Sequence, residues 1–254
     1  MEVYVDDVIV KFDSVQQHKI DLVEIFNRLR RYDMRLNPEK CVFDVEGGKY
    51  LGFMLTSRGI EANPDKCQAL EKMRSPHDLK EVQQLVGRLT YLSRFMPRLA
   101  DKIRPILKLM KKIEKISWNA TCEEAFSIVK QALSQPPILS KPIPGVHLLV
   151  YLAMSLEAVS VALVQGKTDQ KPVYFLSRVL QDFETRYQMI QTVALALVHA
   201  SRRLRPYFQS HEIIVRTNCP ISKVLRKLEL AGQMIGWSVE SYLSLELSMN
   251  PEGL

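Results

Sequence analysis

The sequence predicts a mixed α/β chain in which short hairpins come first, a helical stretch follows, and strands and helices then share the remainder. Three observations predict it. Apolar residues alternate with period two at the start, Val3 and Val5 against Glu2 and Tyr4. From Asn63 onward they recur at helical spacing. Beyond Leu148, three strand-length apolar runs precede one long helical pattern, the order of a mixed α/β unit.

Each element has a local cause. Val3 to Val5 and Val8-Ile9-Val10 read as a hairpin with Asp6-Asp7 at its turn. A helix follows from about Ser14 to Tyr32, with His18, Leu22, Ile25, Phe26 and Leu29 on one face. Asn37-Pro38 stops any helix there. Two short strands, through Cys41-Val42-Phe43 and through Tyr50 to Leu55, are joined by a turn at Gly47-Gly48. Asn63-Pro64 is an N-cap followed by proline at the first helical position, and that helix ends near Met73. The next runs from about Asp78 to Phe95 and buries Val82, Leu85, Val86, Leu89 and Leu92. Pro97 and Pro105 punctuate the stretch after it. A second unit begins near Ser117, where Thr121 and Glu124 fit a capping box for a helix through Ala125, Phe126, Val129 and Leu133. Strands come next at Leu148 to Met154, Val159 to Val164 and Pro172 to Leu176. A helix from about Phe183 to Arg203, a strand at Ile213 to Arg216 and a helix over Ile221 to Leu230 complete the pattern. Ser238 to Leu254 carries no assignable pattern.

The totals bound the class. With 254 residues and 46% hydrophobic content, the chain buries at least one core and has room for two domains. No apolar run reaches the roughly 18 residues that span a bilayer, and the acidic, strand-like start lacks the pattern of a signal peptide. The expectation is an intracellular protein, cytoplasmic or nuclear, with no membrane partner. Cys41, Cys67, Cys122 and Cys219 lie far apart, without zinc or redox spacing, so reduced structural thiols are expected. A net charge of +7 favours polyanionic partners.

The chemical signals begin with Tyr-Val-Asp-Asp at 4–7. Adjacent carboxylates repel each other, and a divalent cation offsets that repulsion; magnesium prefers carboxylates together with phosphate oxygens. Taken alone, the tetrapeptide fits an exposed turn better, since Asp is common there. Context reverses this. Tyr-Val-Asp-Asp, then Leu36-Asn37-Pro38-Glu39-Lys40-Cys41, Tyr50-Leu51-Gly52-Phe53, Ser57-Arg58-Gly59-Ile60-Glu61-Ala62-Asn63-Pro64, Gln84-Leu85-Val86-Gly87-Arg88-Leu89 and Leu92-Ser93-Arg94-Phe95 form an ordered series. That series resembles the reverse transcriptases of gypsy-type long-terminal-repeat retrotransposons, in their plant branch.

The resemblance implies roles. Asp6 and Asp7 correspond to the paired metal-binding carboxylates of the palm, with Mg2+ as the family's ion. Tyr4 corresponds to an aromatic residue near the primer end. Leu51, Gly52 and Phe53 match the hairpin that grips the primer. The family's site also needs an upstream Asp and a fingers subdomain, so this chain alone is expected not to extend a primer. Lys108, Lys111, Lys112 and Lys115 share one helical face if the helix continues, as phosphate contacts do; a solvated surface face fits the same spacing.

Beyond Ser117 the chain resembles the RNase H-like domain of the same polyproteins. Trp118, Cys122, Ala125 and Phe126 match its opening helix, Val173-Tyr174-Phe175-Leu176-Ser177 its third strand, and Leu195-Ala196-Leu197-Val198 its long helix. An active member gathers carboxylates around two metal ions. Here the resemblance puts Ala153, Gln191 and Asn218 at three carboxylate positions, and neutral groups do not concentrate magnesium as carboxylates do. A different register would bring Glu157, Asp182 or Glu184 into question. Tyr207-Phe208 beside Arg202, Arg203 and Arg205 fits a helix end closing the core better than a nucleic-acid patch.

The resulting expectation is palm hairpins at 1–62, a thumb-like helical region at 63–116 and an RNase H-like mixed-sheet domain at 117–254. The chain reads as a retrotransposon-derived fragment, inactive alone, that binds RNA–DNA hybrid or duplex nucleic acid. The alternative is a segment of an active RNA-directed DNA polymerase whose upstream part completes the site. A third reading is a protein adopted by its host. The Val3 to Val10 hairpin has an apolar edge, so low solubility in isolation is also expected.

Overall fold

The computed structural model describes residues 2–4, 7–10, 14–43, 45–110, 116–217 and 245–249. The chain divides into two compact units, Met1–Arg58 and Gly59–Leu254.

In the first unit, β1 (Glu2–Tyr4) pairs antiparallel with β2 (Asp7–Ile9). Tyr4 stands opposite Asp7, so Asp7 opens the return strand rather than sitting at the turn as the sequence suggests. Helix α1 (Val15–Arg31) starts at Ser14, whose hydroxyl accepts the N–H of Gln17. Its apolar face is half-buried, and Phe26 meets Phe43 with ring centroids 6.3 Å apart. The second hairpin corrects the sequence reading. Residues 41–43 form no strand; β3 is Gly48–Tyr50 and β4 is Phe53–Thr56. The turn is Leu51-Gly52, not Gly47-Gly48. Gly47 serves close approach instead, since a Cβ there would lie 2.6 Å from the Leu55 carbonyl oxygen.

The second unit opens with β5 (Gly59–Glu61). Ile60 and Leu139 exchange both backbone hydrogen bonds, at 2.8 and 2.9 Å. Gly59 is required there: its φ is +142°, and a Cβ would stand 2.3 Å from the Leu139 oxygen. Helix α2 (Pro64–Glu71) is capped by Asn63 and α3 (Leu79–Leu92) by Asp78, which accepts the N–H of Glu81 at 2.8 Å. Val82, Leu85, Leu89 and Leu92 are buried, while Val86 is only half-buried. Each fully buried leucine contributes about 1.5–3 kcal/mol. A 3-10 turn (Ser93–Phe95), α4 (Leu99–Lys102) and α5 (Arg104–Met110) come next. Helix α5 packs on α3 and on α6 (Ala120–Ser134). The α6 cap is Asn119 rather than Thr121. Asn119 Oδ1 accepts the N–H of Cys122 at 3.0 Å and the Thr121 hydroxyl at 2.7 Å, so Thr121 lies inside the first turn.

The sheet comprises β6 (Leu148–Met154), β7 (Ala158–Gln165), β8 (Lys171–Val179), β9 (Ile213–Thr217) and β10 (Leu245–Met249), in the order β10-β9-β6-β7-β8. The β6-β7-β8 pairings are antiparallel and those of β9 with β6 and β10 parallel. Helix α7 (Met189–Arg203) lays Val193, Ala194, Leu197 and Ala200 against Leu148, Val150, Val161, Leu163, Ile213 and Val215. The long helix does not begin at Phe183 as expected. A 3-10 turn (Glu184–Arg186) ends at Tyr187, whose extended backbone breaks the helix. Helix α8 (Arg205–Ser210) buries Phe208. The expected helix at 221–230 lies outside the described residues. Among the described residues no helix is long and apolar enough to cross a membrane.

Candidate active site and nucleic-acid interface

In the first hairpin, backbone register brings Tyr4 opposite Asp7; Asp6 lies outside the described residues. Leu51 and Gly52, at the tip of the second hairpin, have φ values of 48° and 80°. Positive φ at both central positions is the mirror-image turn that matches strand twist. Leucine adopts it at a cost of about 1–2 kcal/mol. Leu51 is 40% exposed there, and Phe53 opens β4 opposite Tyr50.

On β6, Leu152 and Met154 pack against the core shared with α7. Strand alternation turns Ala153 to the other face, where it is exposed. Register sets Ala153 beside Ser160 of β7, and Ser160 beside Ser177 of β8. The buried Ser160 hydroxyl has no hydrogen-bond partner among the described residues. Ser177 Oγ accepts the Ala100 N–H at 3.0 Å. Gln191 lies in the first turn of α7, where its Oε1 accepts the N–H of Gln188 at 2.9 Å. Asn218 lies outside the described residues. The two described positions therefore supply a methyl group and an engaged amide, with no carboxylate.

Of the nearby acids, Glu157 and Glu184 have structural partners. Glu157, in the β6–β7 turn, pairs with Arg104, and Lys108 Nζ lies 3.5 Å from the same Oε2. Glu184 is buried, pairs with Arg178 and accepts the N–H of Gln181 at 2.7 Å. The Asp182 carbonyl accepts the Thr185 hydroxyl at 2.7 Å. Among the described residues, no three His, Cys, Asp or Glu side chains gather as metal ligands.

Lys108 is the described member of the lysine stripe; Lys111, Lys112 and Lys115 lie outside the described residues. The structure adds Asp101, Arg104 and Ser155, which the sequence reading does not single out. Asp101 Oδ1 accepts the Ser155 hydroxyl at 2.5 Å, while Arg98 Nε reaches its Oδ2 at 3.3 Å. Their signal in the sequence is the recurrence of Arg98, Asp101, Arg104 and Lys108 every three or four residues. Burial, aided by Arg98, holds Lys102 below the ordinary lysine range. On the sheet edge, Arg94 lies 5.1 Å over the Tyr174 ring, which meets Tyr207 at 6.4 Å. Burial pushes Tyr207 up, and burial with Arg178 and Arg203 pushes His199 down.

Comparison with known proteins fits this architecture. Residues 1–55 match the family model of the reverse transcriptase (RNA-dependent DNA polymerase). Residues 118–215 match that of the RNase H-like domain found in reverse transcriptase. The retrovirus-related Pol polyprotein from transposon 412 of Drosophila melanogaster is 29% identical over 85% of this chain and 18% of its own length. The Tf2-3 transposon polyprotein of Schizosaccharomyces pombe is 25% identical over 82% of this chain and 16% of its own. The chain thus spans about a fifth or less of these relatives. Among solved structures, the foamy viral protease-reverse transcriptase dRH in complex with double-stranded DNA matches with a TM-score of 0.86. It is 20% identical and covers 100% of this chain and 46% of its own. The same viral enzyme with an RNA/DNA hybrid gives 0.84 at 20% identity, over 98% of this chain and 35% of its own. The shared feature is the mixed α/β fold.

Proposed function

We propose that this chain, which carries a reverse-transcriptase segment and an RNase H-like domain, is a gypsy-type retrotransposon fragment of the plant branch that binds nucleic acid without catalysing alone. In this reading it comprises palm hairpins at 1–62, thumb-like helices at 63–116 and an RNase H-like platform at 117–254, and it works inside the cell. The carrying observation is the chemistry at two positions: the Ala153 side chain has no oxygen, and the Gln191 side-chain oxygen is bound to the helix cap. Neither position fits magnesium in the way a carboxylate does. RNA–DNA hybrid or duplex is the expected partner, with Lys108 and the lysines after it as phosphate contacts and Leu51, Gly52 and Phe53 as the primer-facing hairpin. The test is an assay of the purified chain with magnesium or manganese. The expected result is salt-sensitive hybrid binding without primer extension or RNA cleavage. Extension abolished by Asp6→Asn, or cleavage of the hybrid, overturns the reading.

A second reading is supported by the share of its relatives that the chain spans, 18% and 16% of their lengths. Here the chain is one segment of a longer RNA-directed DNA polymerase, and Asp6 and Asp7 hold Mg2+ once an upstream part supplies the rest of the site. Joining the chain to the upstream segment of a related polyprotein distinguishes the two: primer extension by the joined protein, lost on Asp7→Asn, supports the second.

A further inference from the structure

The two cationic groups on α5 converge on one acceptor. Arg104 and Lys108 are four residues apart, on one helix face, and both reach Oε2 of Glu157. A carboxylate and a phosphate oxygen present similar acceptors to a guanidinium. We propose that Glu157 occupies the place of a backbone phosphate on α5, so that the RNase H-like sheet and a nucleic acid compete for Arg104 and Lys108. The proposal rests on the nucleic-acid-binding reading of this chain and adds to it an internal competitor.

Three observations support it. First, the cluster is open to water: the side chains of Arg104, Lys108 and Glu157 are 38%, 56% and 32% exposed. A pair this exposed contributes little to stability, and a polyanion releasing counterions outweighs it at low salt. Second, Glu157 lies in the short turn between β6 and β7, where a side chain swings away without breaking the sheet. Third, the turn has its own anchor. The Ser155 hydroxyl bonds to Asp101 and accepts the N–H of Ala158 at 3.0 Å, so α4 remains docked when Glu157 lets go.

The experiment measures binding of the full chain to a short RNA–DNA hybrid by fluorescence anisotropy across a salt series. The variants are Glu157→Gln, Lys108→Gln and the pair combined. Glu157→Gln is expected to bind on the order of three- to tenfold tighter at about 0.1 M salt, with a steeper salt dependence. Lys108→Gln is expected to cost more affinity in the Glu157→Gln background than in the unaltered chain. Glu157→Asp, which keeps the charge on a shorter stem, gives a smaller gain in the same direction and serves if Glu157→Gln fails to fold. Equal or weaker binding by the Glu157 variants, with the unaltered chain binding, overturns the competition and leaves the nucleic-acid reading standing. No binding by any of them overturns both.

Discussion

Gln188 donates its backbone N–H to Oε1 of Gln191 at 2.9 Å, so the side chain at the expected second carboxylate position is engaged in starting a helix. A capping box accepts glutamate as readily as glutamine, and a helix N-terminus favours negative charge. Gln191→Glu is therefore expected to raise stability by about 0.3–1 kcal/mol in urea unfolding. It is not expected to generate hybrid cleavage, since Ala153 remains a methyl group. A loss of stability refutes the capping account.

The pair of buried Glu184 with half-buried Arg178 gives a larger effect. Removing one partner of a buried ion pair strands the other charge, and Glu184 also holds the N–H of Gln181. Glu184→Ala is expected to cost about 3 kcal/mol, read as a lowered urea midpoint. A cost near zero indicates that the pair relaxes into solvent.

Glu123 sets an acid sensitivity. Hydrogen bonds from Ser75, and then from Trp118, each at 2.6 Å, hold its carboxyl below the ordinary range. The folded state thus prefers the ionised form. Its stabilisation is complete above the unfolded value of about 4.3 and is lost as pH falls through the lower folded value. Urea unfolding curves followed by circular dichroism across pH should show this acid slope in the unaltered chain and a flatter one in Glu123→Gln.

Leu51 separates strain from use. Leu51→Asn creates the Asn-Gly pair that the hairpin turn favours, and stability of the first unit is expected to rise by about 1 kcal/mol. If the exposed leucine meets a nucleic-acid strand, hybrid affinity falls in the same variant. Unchanged affinity removes Leu51 from the interface.

Helix starts are legible wherever one side chain decides them. Ser14, Asn63 and Asp78 cap as their residue types suggest. At Asn119 and Thr121 two suitable caps stand close together, and only the reach of Asn119 to Cys122 selects between them. The second hairpin misleads because Gly47-Gly48 satisfies a turn signature better than Leu51-Gly52 does; the approach of the Leu55 carbonyl to Gly47 is a tertiary fact. The candidate site divides similarly. The resemblance, carried over position by position, implies the lack of carboxylate at Ala153 and Gln191. Helical spacing shows which face Lys108 occupies, but not that Glu157, distant in sequence, meets it there.

The exchange of hydrogen bonds between Ile60 and Leu139 has a consequence for synthesis on the ribosome. The backbone groups of Ile60 wait for a partner made much later, after α2 through α6 have emerged. Likewise β6 waits for β9, which comes after α7. Such late pairings leave one edge of an early strand open during translation. Slowing elongation ahead of Leu139 should lengthen the window in which nascent chains are captured by chaperones or proteases.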